Sequence, residues 1–475
     1  MSKQASLPLP RRRFLASALS GTVGLSTLAN TAGADETKTN NNIDIDTFAE
    51  PARNLKIRNG YDVIVCGAGP AGVAAAISSA RSGAKTMLIE LQGSLGGIWT
   101  SGLVTLVIDS DKDGLTREIQ DRLADLNAVR YNGKREFVYE PEKMKCLLES
   151  MCQEAGAAVR LHTQVTAAYR EGRRLTTIVT ESKSGREAWR APVFIDTTGD
   201  GDLCAQAGCG FDYGRESDGH AQPLTMHALA VVRDVSKLKG FIAHFDGVGW
   251  AKATARNQEE MKRAGIEPSY ALPTIYQVHE NLVLLMFNHE YKTRPDDADA
   301  MTEATLRSRR ELHEIVHALD KLGGPWAGIR LATTAEQIGI REGRRIHGRY
   351  TVTKEDLSRG ARHDDAVAFV TYRVDIHALD RESHRRRPIE GGNLAFQPYE
   401  IPMRALLPKD VDGLLMAGRC ISGDFVSHAS YRVTGNAVAM GEAAGIVAAK
   451  AAKSDKFPHE IEWKKREASY TVPRH

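Results

Sequence analysis

Three glycines and one acidic residue in this sequence have the types and spacing needed to bind a dinucleotide. Gly67, Gly69 and Gly72 form the pattern G-x-G-x-x-G, and Glu90 follows after seventeen intervening residues. In this pattern one glycine allows a tight turn, one allows a pyrophosphate to approach, and one allows a helix to pack on a sheet. We interpret Gly67 as the glycine that allows the pyrophosphate to approach the backbone closely. A carboxylate at Glu90 would accept hydrogen bonds from a ribose and disfavour a 2′-phosphate, which disfavours NADP.

The residues around this motif predict the elements that position it. The apolar run YDVIVC, residues 61–66, lies between glycines and suits a buried parallel strand. Pro70 and Ala71 begin a helix, whose free N–H groups and partial positive charge favour phosphate binding. A second strand ends at Glu90. The motif therefore has the strand, turn, helix and acid that it requires.

Composition limits the function classes. The chain has 475 residues, enough for two domains and a tail. Its 42% hydrophobic and 26% charged residues are typical of a soluble globular protein, and its net charge of +3 gives no reason to expect nucleic acid as a partner. The 15 histidines include no H-E-x-x-H pattern and no Cys/His quartet, so we predict no metal site.

The N-terminal residues have the order of an export signal. Arginines at 11–13 precede Phe14-Leu15, a modestly apolar segment and Ala32-Gly33-Ala34. The twin arginines followed by x-Phe-Leu resemble the signals of the twin-arginine (Tat) machinery, which exports folded proteins; a disordered basic tail is the alternative. We expect a signal peptide at 1–34, a polar linker at 35–57 and a periplasmic or secreted protein without a membrane anchor, because the apolar segment is too short.

Three further stretches carry a resemblance to flavoproteins. Gly96-Gly97 in LQGSLGGIWTSGL follow Glu90, and this order resembles the FAD-binding domain of glutathione-reductase-like proteins. FIDTTGDGDLCAQAG, residues 194–208, resembles the strand and T-G-D turn of that domain. GLLMAGRCISGDFVSHASYRVTGNAVAMGEAAGIVAA, residues 413–449, resembles its closing strand, turn and helix. There the N–H groups near Gly435 and Asn436 would face the flavin and stabilise negative charge on it.

Residues 335–357 and 399–422 extend the resemblance to most of the chain. They resemble the broad family of FAD-dependent oxidoreductases related to the flavoprotein subunit of heterodisulfide reductase. The resemblance implies an α/β fold with a discontinuous Rossmann-like FAD/NAD(P)-binding domain. The residues that it implies for cofactor binding are Gly67, Gly69, Pro70, Ala71, Gly72, Glu90, Gly96, Gly97, Val165, Gly199, Asp200, Gly418, Arg419, Gly435 and Asn436.

The order of these motifs predicts the domain layout. The FAD domain should occupy 58–210 and 396–452, with a substrate or cap domain at 211–395 and a tail at 453–475. In the cap, ENLVLLMFNHE is typical of a strand. DADAMTEATLRSRRELHEIVHALDKLG has the spacing of an amphipathic helix, and its predicted buried stripe is Leu306, Leu312, Val316 and Leu319.

The sequence differs from related flavoproteins in two features that bear on which cofactors we expect. The six cysteines include no C-x-x-C, so neither an iron–sulfur cluster nor a dithiol motif is indicated. Cys204 and Cys209 could pair in an oxidising compartment or remain structural thiols. No histidine follows Gly97 for a covalent linkage, so we predict noncovalent FAD.

The catalytic residues are predicted from their place beside the expected flavin. His428 is the first candidate for proton transfer, and its alternative role is a backbone-bonded histidine beneath the ring. Tyr431 and Arg432 share its loop, and Arg432 could bind a carboxylate or stabilise reduced flavin. Arg344 and Arg341 suit an acidic or hydroxylated substrate, although a solvated helix face would also explain these arginines. His377 is a second histidine candidate.

The predicted function is that of a flavin enzyme whose flavin is reduced by its substrate. The sequence contains no second G-x-G-x-x-G, so electrons should come from a small polar substrate and leave to a quinone, a cytochrome or oxygen. The leading hypothesis is an exported FAD-dependent dehydrogenase or oxidase. A reductase of fumarate-reductase type, a monooxygenase or halogenase, and a noncatalytic flavin-loaded subunit are the alternatives. A pocket open beside the flavin would favour catalysis, and a ring sealed by apolar side chains would favour the subunit.

Overall fold

The structure, a computed structural model, describes residues 48–387, 389–390 and 394–464. The predicted signal peptide lies outside these residues, as do 35–47 of the predicted linker and 465–475 of the predicted tail. Contacts within the chain divide it into two units, Met1–Arg53 and Asn54–His475. In the first unit, residues 48–53 are described and have no regular secondary structure.

The helices and strands of the second unit follow in chain order. The α-helices are α1 (Pro70–Arg81), α2 (Leu115–Asp125), α3 (Pro141–Ala155), α4 (Asp202–Gln206), α5 (Trp250–Arg263), α6 (Ala298–Leu322), α7 (Lys354–Arg359), α8 (Arg381–Arg386), α9 (Phe425–Tyr431) and α10 (Thr434–Ser454). The strands are β1 (Lys56–Arg58), β2 (Val63–Cys66), β3 (Thr86–Ile89), β4 (Leu106–Ile108), β5 (Val129–Tyr131), β6 (Glu136–Tyr139), β7 (Ala158–Arg160), β8 (Gln164–Glu171), β9 (Arg174–Glu181), β10 (Glu187–Arg190), β11 (Val193–Asp196), β12 (Phe211–Asp212), β13 (Ala228–Val231), β14 (Thr274–His279), β15 (Leu282–Met286), β16 (Arg330–Thr334), β17 (Arg345–Ile346), β18 (Ala366–Val370), β19 (Ile376–His377), β20 (Ile389–Glu390), β21 (Tyr399–Pro402) and β22 (Leu414–Met416).

A parallel sheet in the order β22-β11-β2-β3-β7 forms the centre of the fold. Every residue of β2, β3 and β11 is buried, as expected for short apolar strands covered on both faces. The edge strand β22 comes from the C-terminal part of the chain and pairs with β11. This sheet confirms the predicted α/β class and its Rossmann-like arrangement.

Two helices cover this sheet in close contact with each other. Proline at the first position of α1 is compatible with helix initiation, because its missing N–H would have no helical acceptor. Helix α10 packs along α1 because it carries glycines at the contact: a Cβ on Gly441 would lie 2.1 Å from the Ala71 carbonyl oxygen, and one on Gly445 would lie 2.2 Å from Ser78 Oγ. The C-terminal helix therefore completes the layer begun by α1.

A second sheet lies in the predicted cap. Its strands have the order β14-β15-β13-β16 and are antiparallel, and helices α5 and α6 pack on them. The stretch ENLVLLMFNHE contains β15, so the prediction of a strand there agrees with the structure.

Helix α6 matches its predicted span but not its whole predicted stripe. Leu312, Val316 and Leu319 are buried, whereas Leu306 is 56% exposed, so its assignment to the stripe was wrong. The buried stripe continues from Leu312 through Ser308 and Ala304, in steps of four residues. Leu306 lies two residues from this row, and two residues turn a helix by about 200°, which places its side chain on the opposite face.

Residues of the predicted cap, 211–395, contribute to two hydrophobic cores. The second core contains buried residues from Leu224 to Ile338 and also takes in Leu103, Leu106 and Val138 from the N-terminal part of the chain. Downstream residues such as Val352 and Val367 belong to the first core, with the central sheet. Packing thus joins much of 345–395 to the nucleotide-binding part.

The cysteines are free thiols in the structure. Cys146 is exposed, and the other five are buried. Burial, together with a hydrogen bond that the Cys204 S–H donates to Cys209, raises the pKa of the Cys204 thiol well above its usual value. In the part of the chain that the structure describes, no helix has the length and apolar character needed to cross a membrane.

Candidate active site

One continuous cavity of about 640 Å³ begins at the turn between β2 and α1 and ends among side chains of the cap. Its first half is lined by that turn, by the end of β3, by residues 163–165 and by the loop after β11. Its second half is lined by Thr225, His227, Met286, Gln337, residues 339–341, Tyr372, Asp375, His377 and Arg432. We call these the nucleotide half and the substrate half.

The three motif glycines have different neighbours. A Cβ on Gly67, where φ is +95°, would lie 2.6 Å from the Thr197 carbonyl oxygen, and one on Gly72 would lie 1.8 Å from the Gly67 carbonyl oxygen. Gly69 lines the cavity, and a Cβ there would have no atom within 4 Å. Gly67 also lines the cavity, but its missing side chain makes room for the loop after β11, so of the three glycines Gly69 is the one at which a side chain would meet only open space.

Glu90 ends β3 at the cavity wall and holds the turn in place. Its Oε2 accepts a hydrogen bond from the Ala68 N–H at 2.6 Å, and its Oε1 accepts one from the Gln92 N–H at 2.8 Å. The Gly96 N–H donates to the Ala68 carbonyl at 2.8 Å, so the second glycine turn is tied to the first. Gly97 lines the cavity beside it, as do Pro70 and Ala71.

Two arginine–aspartate pairs lie at the nucleotide half, and of their members Asp200, Asp202 and Arg419 line the cavity. Arg419 Nη1 pairs with Asp200 Oδ1, and Gly199 and Gly418 line the cavity beside them, as does Val165. Arg344 Nη1 lies 2.8 Å from Asp202 Oδ1. Burial, with Asp200 and Asp196 nearby, raises the pKa of Asp202 to about 6. Arg344 does not line the cavity, so the structure does not give it the predicted place beside a substrate.

The N-terminus of α10 borders the cavity through Thr434 and Ala437. Gly435 and Asn436 lie behind this wall. A Cβ on Gly435 would lie 2.2 Å from the Asp109 carbonyl oxygen, which explains the glycine, and the Asn436 side chain is fully buried. The helix end is thus at the expected place, but Thr434 and Ala437 rather than Gly435 and Asn436 form its cavity surface.

His428 and Tyr431, two of the predicted catalytic residues, are buried in the core and do not line the cavity. They are three residues apart on α9 and share its inward face. The Tyr431 hydroxyl donates to the Ile421 carbonyl at 3.1 Å. Burial, followed by the nearby Arg345, lowers the pKa of His428 well below its usual value. The structure therefore places His428 and Tyr431 among packing residues rather than beside a substrate.

Asp375 organises the polar wall of the substrate half. Its Oδ2 lies 3.1 Å from Arg432 Nη2 and 3.3 Å from His377 Nε2, and it accepts a hydrogen bond from the Tyr372 hydroxyl. Burial opposes ionisation of Asp375, but His377 and Arg432 outweigh it and hold the pKa of this carboxyl well below its usual range. Arg432, one of the predicted site residues, is therefore held at the cavity by an ionised aspartate.

The two histidines of the substrate half are neutral at pH 7. Burial and the nearby Arg341 lower the pKa of His377 to about 4 and that of His227 to about 3. The pairing of His377 Nε2 with Asp375 leaves Nδ1, which is enclosed in the protein, without a hydrogen-bond partner among the described residues. A neutral imidazole oriented by a carboxylate is suited to accept a proton.

Several residues of the substrate half were not found by sequence reasoning. His227, Tyr372 and Asp375 have no motif around them, and Gln337 lies in the resembling stretch 335–357 but was not singled out there. One signal was available for Asp375: it lies two residues before His377, and in extended backbone such residues point to the same side. In the described residues no group of three or more His, Cys, Asp or Glu side chains could hold a metal ion.

Comparison with solved structures gives partial similarity at low identity. A geranylgeranyl bacteriochlorophyll reductase-like protein from Thermoplasma acidophilum is 14% identical, covers 84% of this chain and 80% of its own, and has a TM-score of 0.45. The flavin-dependent brominase Bmp2 is 12% identical, with 86% and 81% covered and a TM-score of 0.42. The p-nitrophenol 4-monooxygenase PnpA from Pseudomonas putida is 13% identical, with 62% and 70% covered and a TM-score of 0.38.

Comparison by sequence gives shorter matches and one match over most of the chain. Thiamine thiazole synthase from Metallosphaera sedula is 43% identical over 65 residues, and that from Saccharolobus solfataricus is 31% identical over 101 residues. These matches cover 13% and 21% of this chain and only 24% and 36% of the two relatives. The family described as FAD dependent oxidoreductase matches residues 62–469. The chain therefore belongs to the FAD dependent oxidoreductase family, and its cofactor is FAD.

Proposed function

We propose that this protein is an exported dehydrogenase or oxidase that takes a hydride from a small polar substrate. The observation that carries the proposal is the continuity of the cavity. The space beginning at Gly69 runs without a break to Asp375 and His377. FAD bound in the nucleotide half supplies a two-electron acceptor, and the substrate half supplies a proton acceptor for the same molecule of substrate.

The lining of the substrate half supports a catalytic role over that of a noncatalytic subunit. Its polar side chains are Thr225, His227, Gln337, Arg341, Tyr372, Asp375, His377 and Arg432. Its apolar side chains are Met286 and Ile340, and Ile98, Val104, Leu106 and Ile108 also line the cavity. Small-molecule sites combine an apolar lining with a few convergent polar groups, whereas a protein that only carries its flavin has no use for a polar space beside it.

We assign the proton transfer to His377. Oxidation of an alcohol carbon removes a hydride from carbon and a proton from the hydroxyl oxygen. His377 is neutral at pH 7 and can receive that proton, and Asp375 stabilises the imidazolium that forms. Tyr372 and Arg432 hold Asp375 ionised and fixed in place. Together these residues bind, orient and deprotonate the substrate.

The experiment that tests the function is an anaerobic titration of the holoprotein with sugars, hydroxy acids and amino acids, followed at the flavin absorbance band. Loss of the band with one class identifies the substrate class of a dehydrogenase or oxidase. If no compound bleaches it, but a low-potential donor does and fumarate-like acceptors restore it, the protein is a reductase and the proposal fails.

Replacing His377 by glutamine is expected to slow flavin reduction by a factor of about 10² to 10⁴, the usual contribution of a positioned acid or base. The amide cannot accept a proton, but it can still donate a hydrogen bond to Asp375. Flavin content should not change, because His377 lies in the substrate half. Stopped-flow reduction measures the rate, and His363→Gln, which lies outside this cavity, is the matched control. Equal rates in the two variants would remove His377 from the mechanism.

Export through the Tat machinery is part of the proposal and rests on the arginines at the N-terminus. Replacing Arg11 and Arg12 by lysine is expected to retain the protein, with its flavin, in the cytoplasm. Fractionation followed by N-terminal sequencing should find the natural protein outside the cytoplasm and beginning near Asp35. A natural protein that remains uncleaved inside the cell would contradict this.

The relation to the flavoprotein subunit of heterodisulfide reductase stays a prediction.

A further inference from the structure

Three arginines line the cavity, and they differ in their partners. Arg419 pairs with Asp200, and Arg432 pairs with Asp375. For Arg341 the structure shows no carboxylate oxygen within 4.0 Å among the described residues. Its Nη1 donates to the Pro223 carbonyl at 2.8 Å and to Thr225 Oγ1, which are both neutral acceptors. Arg341 is therefore the cavity-lining arginine that forms no direct ion pair with a described side chain, and Asp375 acts on its charge only at longer range.

The remaining atoms of Arg341 form a free edge. Nε and Nη2 of Arg341 donate to no acceptor among the described residues. Neither nitrogen is fully enclosed by the protein. These two nitrogens keep accessible surface on a residue that lines the cavity. Two parallel N–H groups on one edge of a guanidinium match the two oxygens of a carboxylate.

The charged groups of the substrate half, Arg341 included, sum to a net charge of one positive unit. Arg432 and Asp375 balance each other, and His227 and His377 are neutral at pH 7. Burial and the neighbouring Arg432 lower the pKa of Arg341 to about 10, so it stays protonated. A guanidinium held in a largely desolvated place without a directly paired counter-charge is unfavourable for the free protein. A bound monoanion would neutralise the charge of Arg341. A dianion would have no second unpaired arginine for its other charge, because Arg419 and Arg432 are already paired with aspartates.

We propose that the substrate is a small monocarboxylate with an oxidisable alcohol carbon, a hydroxy acid, whose carboxylate is bound by the free edge of Arg341. This inference rests on the proposed function and names its substrate class. In the reaction the hydroxyl proton goes to His377, the hydride leaves the carbon for FAD, and the hydroxy acid becomes an oxo acid. The two electrons then pass to a quinone, a cytochrome or oxygen.

The test uses binding to the oxidised holoprotein, which needs no turnover. Acetate, propionate and benzoate are compared with acetamide, propionamide and benzamide, and the perturbation of the flavin spectrum gives each Kd. We expect each carboxylate to bind about 100-fold more tightly than its amide, and Arg341→Gln to remove that difference. Arg330→Gln, which removes one exposed positive charge from the cap strand β16, should leave it unchanged. Equal affinities for acids and amides in the natural protein would overturn the inference.

A second variant keeps the test decisive if Arg341→Gln does not fold. Arg341→Lys keeps the charge but loses the paired N–H groups, and we expect carboxylate affinity to fall about tenfold. Unchanged affinity in that variant would exclude the two-point contact.

The outcomes separate this inference from the proposed function. If carboxylates bind through Arg341 but no hydroxy acid bleaches the flavin, the anion site stands and the oxidation proposal fails. If neutral alcohols bleach the flavin as well as hydroxy acids do, the oxidation proposal stands and the carboxylate inference fails. If Arg341→Gln only shifts the midpoint potential of the flavin, the charge serves the cofactor, and the inference is overturned.

Discussion

Replacing Gly69 by alanine is expected to deprive the protein of flavin while leaving its fold intact. Gly69 has φ −66° and ψ −174°, an extended conformation that alanine adopts without strain. An added Cβ would meet no protein atom within 4 Å, so the free protein should tolerate it. In the holoprotein the methyl would occupy the space where the pyrophosphate meets the N-terminus of α1.

The expected loss of FAD affinity is at least about 100-fold, since displacing the pyrophosphate removes one or two hydrogen bonds to a charged group, each contributing about 1.5–3 kcal/mol. The ratio of flavin to protein absorbance after purification and the Kd of the reconstituted protein measure this. Purified Gly69→Ala protein with full flavin content would contradict the assignment of the turn.

Two other glycines provide matched comparisons. Gly249 precedes α5 with φ −62°, and a Cβ there would also meet nothing within 4 Å, but it does not line the cavity. Gly249→Ala should keep both flavin and stability. Gly72→Ala should instead lower the yield of folded protein, because its Cβ would lie 1.8 Å from the Gly67 carbonyl oxygen. The three variants separate loss of cofactor from loss of fold.

The protein is expected to lose stability steeply as the pH falls from about 6.5 towards 4. His227, His377 and His428 are buried, and their pKa values are lowered in the folded state, to about 3 for His227 and about 4 for His377. In the unfolded chain these histidines titrate near pH 6.5. Below that pH the unfolded state binds more protons than the folded state, so stability falls with pH until the folded-state pKa values are reached. The shift of His377 alone corresponds to about 3 kcal/mol.

Urea unfolding midpoints at pH 7, 6, 5 and 4 measure this effect, and their slope gives the number of protons taken up on unfolding. His227→Gln should reduce that number by about one, because glutamine does not titrate. His313→Gln, which replaces an exposed histidine of α6, should leave the number unchanged. Stability that stays constant between pH 6.5 and 4.5 would show that these histidines are not kept neutral by burial.

The nucleotide half could be predicted from sequence because its geometry is local. The spacing of Gly67, Gly69 and Gly72 fixes a turn whose backbone conformation depends on residues within one strand and one helix. Glu90 follows at the end of the next parallel strand, where the sheet leaves little freedom. Which glycine faces the ligand could not be read in this way, because the neighbour of Gly67 is Thr197, more than a hundred residues away.

The substrate half could not be predicted because packing between distant segments decides it. His428 is near the closing helix in sequence, but α9 turns that side chain into the core. His377 reaches the cavity because it joins Asp375, which Arg432 holds in place. Arg341 and Arg344 look equivalent in sequence, yet one lines the cavity and the other pairs with Asp202. Three residues along the chain separate the arginine that lines the cavity from the arginine that pairs with Asp202.

The contact between α1 and α10 has a consequence for biosynthesis. The phosphate-binding turn is translated early, but the sheet edge β22 and the helix that lies along α1 are translated only near residue 454. At about 5–20 residues per second, the ribosome needs on the order of 20–80 s to pass from one to the other. A nascent or prematurely terminated chain therefore has the motif but no completed pocket. Because Thr434 and Ala437 of the last helix line the cavity, we expect FAD to be retained only by chains whose translation has reached that helix.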